Sequence, residues 1–282
     1  MTSSASEVAP RISRRHAAGA ESARGLLFTV LGEFVLPGGE LAWTSAFIEA
    51  LRRLGVEEKA SRQAIMRTAA DGWLTAERVG RRTQWRLTES AEKLLTEGTE
   101  RIYGFTGSAT DWDRRWLLVT AHTPETDRAA RHHLRTRLAW TGLGSPAPGL
   151  WISTHTDRVH EVEQVLEDAD VIDDARIFVA DYRAGGDVNS MVSQAWDLEA
   201  IDAAYRAFIS DFARSPAPDP MARTIELVHA WRRFPGIDPT LPRELLPRSW
   251  SGDRAAAVFA DRHARWAPAA KSEWARLNAA TD

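Results

Sequence analysis

Apolar residues recur at three- and four-residue intervals in three consecutive segments near the amino terminus, a spacing that places them on one face of a helix. The first segment stops at the turn signal Pro37–Gly39 and the second at Gly55, a residue typical of a helix C-cap, while Thr44 or Ser45 can cap the second segment's start. The third runs from Glu57 to Asp71. The pattern predicts three short helices.

The period then changes from helical to alternating. Residues 73–79 and 83–87 alternate as two strands around the basic turn Gly80-Arg81-Arg82. Three helices followed by a hairpin predict a winged helix-turn-helix. A protein-binding module of the same elements is the alternative.

A helix capped by Thr88 runs to about Gly98 and leads into a polar linker near residue 108. Beyond the linker the predicted elements are strands at 116–120, 149–153 and 175–180 and helices at 125–140 and 157–169. With one edge strand that the pattern does not place, this order fits a small ferredoxin-like sandwich. From about Met191 the spacing is again helical, interrupted by a proline-fixed loop after Phe234.

The fold class is therefore α+β with several domains: an N-terminal winged helix-turn-helix, a central ferredoxin-like domain and a C-terminal helical domain. The predicted divisions are a disordered tail at 1–20, the winged helix with its linker helix at 21–107, the central domain at 108–190 and the helical domain at 191–282.

Composition and charge exclude several classes of protein and indicate a kind of partner. The 282 residues include no cysteine, which excludes a disulfide scaffold and a Cys nucleophile and agrees with a cytoplasmic location. No run approaches the roughly 18–20 apolar residues of a membrane helix, and the first ten residues do not resemble a secretory signal. Residues 11–86 carry 13 Lys and Arg against 8 Asp and Glu, whereas the rest of the chain is acidic. A basic N-terminal block points to a polyanion such as double-stranded DNA.

The third helix carries the candidate base contacts. Positions three or four apart share a face, so Lys59, Arg62, Gln63 and Met66 project together. Arginine pairs with guanine and glutamine with adenine in the major groove, while Arg67 suits a phosphate. On the hairpin, the candidate contacts with the minor groove or phosphates are Arg78, Arg81 and Arg82. A solvated helix face and a solubilising turn are the alternatives.

No cofactor or metal site is predicted. The histidine pairs lack metal-ligand spacing, and the acidic run from Glu161 to Asp174 contains no EF-hand pattern. The stretch Gly142–Ala147 approaches a dinucleotide-binding motif, but it follows a helix and contains Pro146, so we discard it as a nucleotide site.

Several motifs together resemble the PaaX family of bacterial transcriptional repressors. They are Ser61–Arg67, Asp71–Leu74, Arg78–Thr88, Arg101–Tyr103, Trp112–Val119, Gly149–Ile152 and Leu241–Pro247, followed by Trp250 and Gly252. The resemblance implies a GntR-like winged helix, a Cas2-like central domain and a helical C-terminal domain. Thr68 and Trp85 depart from it, at positions where the family more often has Leu and Tyr.

The resemblance also implies a repressor of phenylacetate catabolism genes that an aryl-acyl-CoA effector such as phenylacetyl-CoA releases from operator DNA. A homodimer follows from the few base pairs that one winged helix reads. For the effector, Trp231, Arg232 and Arg233 offer an aromatic surface beside cations, although core packing of Trp231 is the alternative. The rival function is a Cas2-like metal-dependent nuclease with a DNA-targeting winged helix. The carboxylate expected at the end of its first strand is missing from Thr120–Thr123, so we expect no enzyme.

Overall fold

A computed structural model describes residues 22–39, 41–106, 112–122, 128–183 and 185–279. Contacts between residues divide the chain into two compact units. The first contains the residues up to Gly104 together with Phe212–Arg233 and the residues from Val258 onward. The second contains Phe105–Asp211 and Phe234–Ala257.

The first unit begins with helices and a small sheet. Its elements from the N-terminal half are α1 (Ala23–Val30), β1 (Ala42–Trp43), α2 (Thr44–Arg52), α3 (Glu58–Ala70), β2 (Leu74–Val79), β3 (Arg82–Leu87) and α4 (Glu89–Tyr103). A π-helical turn, Leu31–Val35, extends α1. The strands form an antiparallel sheet in the order β1-β3-β2.

The core of this unit joins distant parts of the chain. The apolar faces of α1, α2 and α3 meet around Leu27, Phe47 and Ile65, all essentially inaccessible to solvent. Ile225 and Trp274, from the C-terminal third of the chain, belong to the same core. Burial of these side chains supplies the main stabilisation of the unit, at roughly 1.5–3 kcal/mol for each large apolar side chain.

The second unit contains a four-stranded antiparallel sheet. Its strands and their helices are β4 (Arg115–Thr120), α5 (Arg128–Trp140), β5 (Gly144–Ala147), β6 (Leu150–Ser153), α6 (Val159–Asp168) and β7 (Arg176–Asp181). The spatial order β5-β6-β4-β7 is that of the predicted ferredoxin-like sandwich. The edge strand that the pattern did not place is β5, formed by most of the discarded Gly142–Ala147 motif.

The remaining elements are helices. They are α7 (Val188–Ala195), α8 (Leu198–Phe212), α9 (Pro220–Trp231), α10 (Phe234–Ile237) and α11 (Gly252–Ala279). The helical nature of this third of the chain was predicted. Its helices are shared between the two units, with α9 in the first and α10 in the second. The predicted domain boundaries therefore differ from the two units that the contacts define, and they remain a prediction.

Two local predictions were wrong. The helix after Thr88 does not end near Gly98 but continues to Tyr103, because a single glycine weakens a helix without breaking it. The segment after Phe234 begins with the short helix α10 instead of a loop, since a proline fits the first turn of a helix. The predicted tail at 1–20 and the linker at 108 lie outside the described residues. In the part of the chain that the structure describes, no helix is long and apolar enough to cross a membrane.

Candidate nucleic-acid interface

Helix α3 has one buried and one exposed face. Ser61, Ala64, Ile65 and Thr68 point into the first unit. The five candidate DNA contacts on this helix are all exposed: Lys59, Arg62, Gln63, Met66 and Arg67. Met66 leaves 59% of its surface accessible, which is unusual for a methionine. The structure therefore places these candidates together on the outer surface of one helix.

The start of α3 is fixed by the turn that precedes it. Gly55 adopts a left-handed conformation with φ +77°, which a residue with a Cβ adopts at a cost. The amide of Val56 then donates to the carbonyl of Leu51 at 3.1 Å, closing the end of α2. Ser61 Oγ donates to the carbonyl of Glu57 at 3.1 Å within the first turn of α3. The exposed face is thus carried on a defined scaffold.

Arg62 has an intramolecular partner that sequence reasoning missed. Its Nε and Nη2 donate to Glu58 Oε1 at 2.9 and 2.7 Å, and both side chains are more than half exposed. The spacing of four residues that permits this pair was readable from the sequence. An exposed pair of this kind contributes only about 0.3–0.5 kcal/mol, so Arg62 can exchange Glu58 for another acceptor.

The hairpin of β2 and β3 has a two-residue turn, Gly80 and Arg81. Gly80 has φ +63°, the conformation that tight hairpin turns require. Arg78 and Arg81 are exposed, whereas Arg82 is half-buried and its guanidinium lies 5.8 Å from the ring centroid of Trp43. The three predicted hairpin contacts therefore differ in their exposure to solvent, and Arg81 lies at the tip of the turn.

The two departures from the family pattern are both buried. Trp85 donates from Nε1 to Thr44 Oγ1 at 2.9 Å, and Thr44 in turn donates to the carbonyl of Thr83 at 3.0 Å. Thr44 thus links α2 to the hairpin and does not cap α2 with its side chain. Thr68 is fully buried, and its Oγ1 has no hydrogen-bond partner among the described residues.

A second contribution that sequence reasoning missed comes from the end of α11. Asn278 Oδ1 accepts the amide of Trp43 at 2.9 Å, and Asn278 Nδ2 donates to the carbonyl of Leu41 at 2.8 Å. This side chain satisfies one backbone group just before β1 and one within it, and β1 is the strand that pairs with β3 of the hairpin. A contact across 235 residues leaves no signal in a single sequence.

The candidate effector residues occupy the end of α9. Trp231 is fully buried, its ring stacks on Phe259 with centroids 4.8 Å apart, and its Nε1 donates to the carbonyl of Ile102 at 3.1 Å. Arg232 Nη1 donates to the carbonyl of Gly25 at 3.1 Å, and burial lowers the pKa of Arg232. Arg233 is exposed. Trp231 is thus part of the packing of the first unit, and an effector contact at these residues stays a prediction.

Several histidines and acids of the second unit have individual partners. His155 Nε2 donates to the carbonyl of Pro239 at 3.1 Å, and burial lowers the pKa of His155. Asp168 pairs with Arg137, and Glu163 lies 3.7 Å from His160. Among the described residues, no three His, Asp or Glu side chains are grouped so that they could hold a metal ion.

These features define an α+β protein that carries a basic helix face and a basic hairpin on its N-terminal unit and a ferredoxin-like sheet in its second unit. Three family models match in chain order: "PaaX-like protein" at residues 22–91, "PaaX protein central Cas2-like domain" at 109–192 and "PaaX-like protein C-terminal domain" at 196–276. The chain belongs to the PaaX family, as the sequence motifs predicted.

A similar repressor supports the family assignment, and a solved structure supports the fold. The transcriptional repressor PaaX of Escherichia coli is 30% identical over 265 residues, which cover 88% of this chain and 82% of the repressor. The uncharacterized protein Rv0674 from Mycobacterium tuberculosis shares the fold, with a TM-score of 0.60 and 22% identity over 91% of this chain and 98% of that one.

Proposed function

We propose that this protein is a transcriptional repressor that binds operator DNA in a sequence-specific manner. The observation that carries the proposal is the exposed basic face of α3, whose opposite face is buried in the first unit. The E. coli relative, a transcriptional repressor that aligns over most of both chains, supports the same function.

In this proposal α1, α2, α3 and the β2–β3 hairpin act as a winged helix-turn-helix. Helix α3 enters the major groove, where Arg62 and Gln63 contact base edges and Arg67 contacts a phosphate. Arg81 follows the minor groove or the adjacent phosphates from the hairpin tip. Base contacts supply sequence preference, and phosphate contacts supply affinity that depends on salt.

The repressor acts as a homodimer. One α3 reads only a few base pairs, and a two-fold symmetric pair reads two half-sites about one helical turn apart. Symmetric recognition of this kind is the usual solution for helix-turn-helix repressors.

An aryl-acyl-CoA such as phenylacetyl-CoA is the proposed effector, and genes for aromatic-acid catabolism are the proposed targets. A ligand releases a repressor only by the difference between its affinities for the free and DNA-bound forms. The effector must therefore favour an arrangement in which the two α3 helices no longer match successive major grooves. We propose no catalytic activity and no cofactor.

The experiment is a comparison of specific and random DNA. The full chain is used to select bound duplexes from a randomised pool, and affinities for the selected and random duplexes are then measured by fluorescence anisotropy. Arg62→Ala is expected to cost about 1–3 kcal/mol on the selected duplex and much less on the random one.

Arg52→Ala is the matched control. Arg52 is also an exposed arginine paired with a glutamate, Glu49, at 2.7 Å, but it lies on α2. It is expected to change neither affinity. An equal loss on both duplexes for Arg62→Ala would make Arg62 a phosphate contact, and failure to select any sequence would overturn the proposal. Cleavage of the duplex in the presence of Mg²⁺ or Mn²⁺ would instead favour the nuclease.

A further inference from the structure

The second unit contains a cavity of about 430 Å³. It lies between α5, β5, the start of α8 and the short helix α10, and it is separate from the interface on α3. Cavities of roughly 300–1,000 Å³ are the size that binds small molecules and cofactors. The volume is therefore sufficient for a ligand of one or two rings.

The walls of the cavity are mainly apolar and include two indole rings. Trp151 comes from β6 and Trp196 from the segment between α7 and α8, while Leu143 and Ile201 are buried apolar residues that complete the lining. Indole faces bind planar aromatic groups by offset or edge-to-face stacking. The lining thus favours a flat aromatic ligand over a sugar or a free phosphate.

The position of one indole is fixed by a glycine. A Cβ on Gly144 would lie 2.4 Å from Cε2 of Trp196, far inside contact distance, so only glycine permits the ring to lie against β5. The Trp196 ring therefore packs directly against the backbone of β5. A wall that is already in position reduces the entropy lost on binding.

The edge of the cavity carries a cation. Arg135 is exposed on α5 and lines the cavity, and it takes part in no ion pair with the described residues. The other charged lining residue, Asp197, accepts the amide of Ala200 at 2.9 Å and so serves the N-terminus of α8. Arg135 is therefore available to an anionic group of a ligand whose ring lies inside.

We propose that this cavity binds a planar aromatic molecule of one or two rings that carries an anionic group, with the ring between the indoles and the anion at Arg135. The inference does not rest on the proposed function, because a molecule of one or two rings is much smaller than an acyl-CoA thioester and is a separate ligand.

The first test uses 1-naphthylacetate as the probe and titration calorimetry on the full chain without DNA. One site per chain is expected. Ala200→Trp, which places an indole into the cavity from an exposed position of α8, is expected to weaken binding at least tenfold. Ala203→Trp, an exposed alanine on the same helix that does not line the cavity, is the control and should bind as the unchanged chain does. Unweakened binding to folded Ala200→Trp, or no binding of the probe to the unchanged chain at millimolar concentration, would overturn the proposal.

The second test separates the ring from the charge. Arg135→Ala is expected to weaken 1-naphthylacetate about tenfold and to leave the uncharged 2-(1-naphthyl)ethanol unchanged, since a charge-assisted hydrogen bond is lost only with the acid. Arg131→Ala, one turn earlier on α5 and outside the cavity, should affect neither probe. An equal response of both probes to Arg135→Ala would overturn the role of Arg135.

These outcomes are independent of DNA binding. A chain that binds DNA specifically but no probe would refute the cavity and leave the repressor. A chain that binds the probe but selects no DNA would refute the repressor and leave the cavity.

Discussion

The two units carry their functional chemistry in opposite ways. In the first unit the apolar face of α3 is buried and the cations of α3 and the hairpin point into solvent. In the second unit apolar and aromatic side chains surround a cavity, and a single arginine stands at its edge. An exposed set of cations suits a long polyanion, whose binding is sensitive to salt, whereas a walled cavity recognises the shape of a small molecule.

Lowering the pH is also expected to change the stability of the two units in opposite directions. In the first unit burial lowers the pKa of His229 to about 4, so the folded unit disfavours the charged imidazole. In the second unit burial raises the pKa of Asp238 to about 6, so the folded unit disfavours the charged carboxylate. As the pH falls from about 6.5 to 4, the unfolded chain binds a proton at His229 that the folded unit does not bind, so this group lowers stability. As the pH falls from about 6 to 4, the folded unit binds a proton at Asp238 that the unfolded chain does not bind, so this group raises stability.

The largest predicted effect distinguishes packing from ligand binding at Trp231. Trp231→Ala removes a fully buried indole and its stacking on Phe259, so it should lower the free energy of unfolding by about 3–5 kcal/mol. Trp140→Ala, at a tryptophan of the second unit that is 49% exposed, is the comparison and should cost much less. Denaturant unfolding measures both. If Trp231→Ala were as stable as the unchanged chain and lost only its response to phenylacetyl-CoA, the effector assignment at Trp231 would be right.

The next effect concerns Asp238, whose Oδ2 accepts the Tyr205 hydroxyl at 2.6 Å and whose Oδ1 accepts the amide of Thr240 at 2.7 Å. The folded state binds the proton of Asp238 more tightly than the unfolded state, so this group's contribution to stability decreases as the pH rises from about 4 to 6. Asp238→Asn should remove that decrease. Between pH 4 and pH 7, the free energy of unfolding of Asp238→Asn should therefore rise by on the order of 2–3 kcal/mol relative to that of the unchanged chain.

Unfolding at a series of pH values measures this difference. Asp202→Asn is the control, because Asp202 is also a buried aspartate of the second unit, with its Oδ1 accepting the amide of Ser251 at 2.7 Å. Parallel pH profiles for the unchanged chain and Asp238→Asn would show that Asp238 titrates in the folded state as it does in the unfolded state.

What the sequence predicts well is what neighbouring residues determine. The exposed face of α3 follows from the helical period between Gly55 and Gly72, both with positive φ, so the candidate DNA contacts could be placed together on one surface. The hairpin follows in the same way from alternation around Gly80.

What the sequence does not predict depends on distant partners. The strand β5 contains Pro146 and no alternating apolar residues, and it pairs with β6 through an irregular register, so it is a strand only because the edge of β6 is there to pair with. The cavity brings Arg135 together with Trp196 and Ile237, which are about 60 and 100 positions further along the chain. Likewise, Trp231 has the chemistry of a ligand contact, and only the packing of α9 against Phe259 and its neighbours buries it.

A smaller effect is expected from the hairpin. Each phosphate contact removed should lower the magnitude of the slope of log K against log salt by roughly 1, so Arg81→Ala should change the slope and the double Arg81→Ala, Arg82→Ala variant should change it further. The single and double variants separate the two residues. The guanidinium of Arg82 lies over the ring of Trp43, whereas Arg81 is exposed at the tip of the turn. Binding is measured at several salt concentrations, with Arg52→Ala as the control. An unchanged slope in the double variant would remove the hairpin from the interface.

The smallest effect tests whether the charges of α3 are fully available to DNA. Glu58 holds Arg62 in an exposed ion pair and also presents a negative charge on the surface that is proposed to face phosphates. Glu58→Gln should free Arg62 and tighten DNA binding about twofold, since an exposed pair at this spacing contributes only about 0.3–0.5 kcal/mol.

Glu49→Gln breaks the pair with Arg52 on α2, together with the contact between Glu49 and Arg53, and should leave DNA binding unchanged. The gain from Glu58→Gln should also disappear when Arg62 is already alanine, because the two changes act on the same contact. If Glu58→Gln tightened binding equally with and without Arg62, the glutamate would act only through its charge on the phosphates. Arg62 would then make no base contact with which the ion pair competes. The surface of α3 would in that case bind polyanions in general and not a specific DNA sequence.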